Sequence, residues 1–151
     1  MLLRLTAARR DPLSSVILDG SAEVGWLSPG VIGFGRFPDR PHARRAGEAA
    51  ASVLSGWYAL HRHRGPAAWP DAVPPEDQLI VAGVVVGRVL APCALPAAAP
   101  AADPGSYGVE LAVPDRTWLA VMLQLAQRMY VALVEGQLVG GTRTLAAGVT
   151  A

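Results

Sequence analysis

The sequence predicts an α+β fold, an antiparallel sheet with two long helices packed on one face. Three observations predict it. Strand-like segments at 31–37 and 107–113 each end at a proline–aspartate break, Phe37-Pro38-Asp39-Arg40 and Val113-Pro114-Asp115-Arg116. Each break opens an apolar-rich helical pattern, and each is preceded by β-rich runs close enough to pair locally. The segments 20–65 and 79–136 therefore read as one hairpin–helix (ββα) unit used twice, joined by a proline-rich connection within a single domain over 1–151.

In chain order, 2–6 and 16–18 are short apolar runs separated by Arg9-Arg10-Asp11-Pro12, and Asp19-Gly20 is a turn signal. Glu23 to Leu27 and Val31 to Phe37 form a hairpin about Ser28-Pro29-Gly30. Gly33 and Gly35 inside the second strand mark close approach of other backbone or side chains, expected here to be a helix laid over them. Asp39 caps the first helix, with Pro41 in its first turn. Ala43, Ala46, Ala50, Val53, Leu54, Trp57 and Leu60 recur at helical spacing as its core stripe, opposite Arg44, Arg45, Glu48, Ser52 and Ser55. His61 to Arg64 supply cations near the helix end, and Gly65 is its stop.

The run Leu79 to Leu90 is continuously apolar, as expected of one strand buried on both faces. An Ala/Pro loop over 91–106 follows. Tyr107 to Val113 then alternates, which predicts a solvated face carrying Gly108, Glu110 and Ala112. The second helix is expected from 116, capped by Asp115, to Gly136. Its apolar surface is broad enough to require two partners, the sheet and another helix from this chain or a second copy. A weak strand over 137–139 and a flexible tail over 140–151 close the chain.

Composition excludes several chemistries. There is no lysine, so a Schiff-base nucleophile, a pyridoxal-phosphate anchor and a P-loop lysine are ruled out, and there is no asparagine. The one cysteine, Cys93, cannot form an internal disulfide. Arginines interrupt the opening MLLRLTAARR where a signal peptide needs an apolar core, and no run reaches the ~20 residues of a membrane span. A cytoplasmic protein that does not enter the membrane is expected. Residues 1–64 hold nine arginines against five acids, and residues 65–151 hold four against seven, so the halves carry +4 and −3.

No motif names a reaction, and no cofactor or metal site is implied. His61 and His63 are two apart on a helix and face different ways. No serine sits in a G-x-S-x-G elbow. Glu23 and Glu110 lie on strands and would serve as an acid–base pair only if the sheet brought them together. The leading expectation is a noncatalytic protein acting by association with itself or another protein. Its interface would be the second helix, through Trp118, Met122, Leu125, Met129 and Leu133. A first alternative is nucleic-acid or anion binding through Arg36, Arg44, Arg45, Arg62 and Arg64, with Trp57 or Tyr58 as a stacking face. A second is a small-molecule binder or enzyme with a pocket between sheet and helices beneath Trp26 and Tyr107. Trp26 and Trp69, beside a turn and in a proline-rich loop, are candidate exposed anchors.

Overall fold

The computed structural model describes residues 2–9, 11–61, 66–99, 106–114 and 117–138. Its strands are β1 (Leu3–Ala7), β2 (Ser15–Asp19), β3 (Ala22–Ser28), β4 (Val31–Phe37), β5 (Gln78–Val81), β6 (Val84–Leu90) and β7 (Tyr107–Ala112). The helices are α1 (Arg40–His61), which follows β4, and α2 (Leu119–Glu135), which follows β7. All seven strands form one antiparallel sheet in the order β1-β2-β3-β4-β7-β6-β5. The α+β class and the single antiparallel sheet with both helices on one face are as the sequence predicts.

The order is symmetric about its centre. β2-β3-β4 followed by α1, and β5-β6-β7 followed by α2, meet at the β4–β7 pair, and β1 is the surplus strand outside β2. Each helix crosses to the other half: α1 lies on β5, β6 and β7, while α2 lies against β3 and α1. One core results, in which Ile17, Ile32, Phe34, Val109 and Leu111 from the sheet meet Ala46, Leu54, Leu125 and Met129 from the helices. Its apolar burial is the main stabilising term.

Local chemistry explains the boundaries. The Asp39 carboxylate accepts the His42 backbone N–H at 2.8 Å, a side-chain cap that fixes where α1 starts. The stripe of α1 is buried as expected at Ala43, Ala46, Ala50, Leu54 and Trp57, but Leu60, in the last turn, is 66% exposed. Helix α2 begins at Leu119 with Trp118 in the cap position; the expected cap Asp115 lies outside the described residues. At its other end Leu138 N–H reaches Leu133 O at 2.8 Å and Gln137 N–H reaches Val134 O at 3.0 Å, with Gln137 at φ 58°. This is a Schellman closure, and it replaces the strand expected to start at Gln137.

Two further expectations are corrected. The apolar run 79–90 is a hairpin rather than one central strand: Ala82 and Gly83 both take positive φ (51° and 79°), the primed turn that matches strand twist, and β5 becomes a sheet edge. The outer face of β7 is not solvated. Gly108, Glu110 and Ala112 are buried there. Trp26, Val16 and Leu90 pack on that outer face beneath Leu95, Ala98 and Ala99 of the Ala/Pro loop, so the sheet is covered on both sides.

Candidate functional site

The polar centre of the molecule is a row of side chains across the outer face of the sheet. Register places Val16 beside Trp26, Trp26 beside Gly33, Gly33 beside Glu110, Glu110 beside Arg88 and Arg88 beside Gln78. Trp26 is fully buried and lies flat over its neighbour. A Cβ at Gly33 would stand 2.0 Å from the indole Cε2, so the glycine is there to admit a tryptophan, not the helix expected. The indole Nε1–H donates to Glu110 Oε2 at 3.0 Å. Arg88 donates to Glu110 Oε1 from Nη2 at 3.2 Å and from Nε at 3.3 Å.

Glu110 is only 6% exposed, and both its oxygens are occupied. Trp69 closes the row from outside, with the Arg88 guanidinium 4.8 Å from its ring centroid. Its own N–H is buried without a hydrogen-bond partner among the described residues. A carboxylate held by two donors, with a cation sandwiched between it and an indole, is an arrangement that fixes register between the halves. It has no open position for a substrate atom.

The remaining candidates are dispersed. Glu23 is exposed on β3 and does not meet Glu110. Trp26 and Tyr107 belong to hydrophobic clusters on opposite faces of the sheet, so they do not line one pocket. Tyr107 instead lies under the Arg40 guanidinium, 5.5 Å from its ring centroid, and Arg40 is paired with Asp77. Trp26 and Trp69 are buried and cannot be exposed anchors. Arg44 donates to Glu76 O at 2.7 Å and stands 3.9 Å from Glu48. Arg36 and Arg45 are exposed on different elements, and Arg62 and Arg64 lie outside the described residues. Among the described residues no three His, Cys, Asp or Glu side chains group to hold a metal ion.

The named face of α2 is inward. Met122, Leu125, Met129 and Leu133 are at most 4% exposed, sealed by the chain's own sheet and α1, so they offer no surface to a partner. The second helix expected to cover α2 is supplied by this chain. What remains outside is its beginning, where Trp118 is 79% and Leu119 52% exposed. Next to them Ala120 lines a groove of about 580 Å³ between α2, the end of α1 and β1, whose walls include Leu2, Leu3, Trp57 and Leu123. Gln124, Gln127, Arg128 and His61 make its polar part. Leu2 is 78% exposed at its margin, and Leu60, beside His61, is 66% exposed. This apolar end is half legible in the sequence: Trp118 reads as an interface residue, while Leu2 and Leu60 read as a strand start and a core position.

The fold and these surfaces define a two-layer α+β domain with a sealed polar row and an apolar end. No protein-family model, curated protein or solved structure matches the chain. No described helix is long and apolar enough to cross a membrane.

Proposed function

We propose that this is a noncatalytic, cytoplasmic protein that works by association with another protein chain, most simply a second copy, through the apolar end at the start of α2. The observation that carries the reading is the exposure of Trp118 and Leu119 beside the apolar groove. An exposed tryptophan followed by an exposed leucine, next to a groove whose wall includes Gln124, Gln127 and Arg128, has the composition of an interface anchor with its rim. Isolated exposed leucines are ordinary, but Trp118 and Leu119 directly precede Ala120, which lines the same groove as the exposed Leu2.

Size-exclusion chromatography with light scattering tests it. The wild-type chain should gain mass with concentration, and Trp118→Ser should weaken that association by roughly 30-fold or more, the usual consequence of truncating an aromatic anchor worth about 2 kcal/mol. A Trp118→Ser protein that associates as tightly as the wild type overturns the reading.

A further inference from the structure

The two halves of the sheet match strand for strand except at their outer edges. Outside β2 lies β1; the equivalent place outside β5 holds no strand among the described residues. The two edges also differ in chemistry. β1 carries the exposed Arg4, and its Leu3 N–H is taken by the Gln127 side chain at 2.9 Å. β5, with the sequence Gln-Leu-Ile-Val, has no charge and no proline, and Ile80 is 55% exposed on it. Of the usual guards against strand addition β5 lacks charge and proline, and keeps only its shortness and a bulge between Leu79 and Ile80.

Above β5 there is room for an addition. A groove of about 520 Å³ runs between the strand and the flank of α1, walled by Arg44, Glu48, Ser52 and Ser55. α1 sits low here, since a Cβ at Gly47 would lie 2.7 Å from Leu79 Cδ1, and so its polar flank overhangs the sheet edge.

We infer that β5 is a dimerisation edge, pairing antiparallel with β5 of a second copy so that two sheets become one. A two-fold axis beside β5 sets the Ile80 side chains near one another on the outer face. It also turns the overhanging flanks of the two α1 helices towards each other, so that Ser52 and Ser55 of each copy face the other with Arg44 and Glu48 beside them. The wall is electrically neutral, one cation and one anion 3.9 Å apart, so it meets its own copy without repulsion and offers no preference to an acidic or a basic peptide. A four-residue strand and one helix flank make a contact at the small end of specific interfaces, which bury roughly 1,200–2,000 Å², so the dimer dissociates on dilution.

This inference stands apart from the apolar end, and the experiment separates them. In a Trp118→Ser background, with the apolar end disabled, light scattering should still show a concentration-dependent monomer–dimer equilibrium. Adding Ile80→Arg, or Ser52→Arg, should shift its midpoint at least tenfold higher in concentration. Both positions are exposed, and circular dichroism with thermal melting should show each variant folded. A Trp118→Ser protein that stays monomeric at every concentration overturns the inference, as does a dimer indifferent to both arginines.

Discussion

Replacing Arg88 with Met should be among the most damaging single changes outside the apolar core, because of what it leaves behind. Glu110 is 6% exposed and accepts two hydrogen bonds from Arg88, at 3.2 and 3.3 Å, and one from Trp26 at 3.0 Å. Without the guanidinium a buried carboxylate keeps a single neutral donor, and stranding such a charge costs about 3–5 kcal/mol. Glu110→Gln is milder, about 1–3 kcal/mol, since the amide oxygen can keep the indole bond and Arg88, about a third exposed, can turn towards water. The double variant strands no charge and should lose only about 1–2 kcal/mol, giving a coupling energy of at least about 2 and centrally about 4 kcal/mol. Urea denaturation followed by far-ultraviolet circular dichroism reads all four proteins. For a chain of this size the Arg88→Met loss lowers the melting temperature by roughly 10 °C. Additive effects, with coupling below about 0.5 kcal/mol, would mean that water reaches Glu110, and the account of the row as a sealed clamp would be wrong.

Two other predictions use side chains whose surroundings point in opposite directions. Gly33→Ala should displace the Trp26 indole and cost about 3 kcal/mol, with a change in near-ultraviolet circular dichroism; Gly56→Ala, with nothing within 4 Å of the added methyl, should stabilise α1 by about 0.5–1 kcal/mol. Tyr58 is buried, and desolvation raises its phenol above the ordinary value of 10.0 despite the Ala67 N–H that it accepts. The unfolded chain therefore ionises first, so this contribution to stability is intact below pH 10 and is lost as pH rises towards the folded-state value. Tyr58→Phe should flatten the alkaline branch of a melting-temperature profile between pH 9 and 11, and an unchanged branch would refute that assignment.

Those residues also show what the sequence carries and what it conceals. The capped start of α1 and the β3–β4 hairpin are legible because turn chemistry and periodicity are local, and the breadth of α2 correctly called for two covering layers. The β5–β6 hairpin is concealed because Ala82-Gly83 is a weak turn signal inside an unbroken apolar run. The Trp26–Glu110–Arg88 row is concealed for a different reason. Its members are separated by up to 84 positions, and only the register of β3, β4, β7 and β6 puts them side by side. Alternation in β7 identified which residues share a face, but which face is wet depends on the loop carrying Leu95 and Ala98, whose Ala/Pro composition has no periodicity to read. The inward burial of Met122, Leu125, Met129 and Leu133 is concealed for the same reason: apolar breadth measures how much covering a helix needs and says nothing of which chain provides it.

The two proposed surfaces lie at opposite edges of the sheet, one beside β1 through Leu2 and Leu3 and the other at β5. Their separation has a consequence for assembly that neither has alone. A single self-complementary surface closes on itself as a dimer, whereas two such surfaces with different two-fold axes produce either a closed tetramer or an open chain. If both operate between copies, the wild-type mass must therefore rise beyond a dimer at high concentration. Trp118→Ser and Ile80→Arg must each stop the series at a dimer, and only their combination should yield a monomer. A wild type that stops at the dimer while either variant alone abolishes it would mean one contact involving both regions, which the distance between the two edges does not permit within one isologous interface.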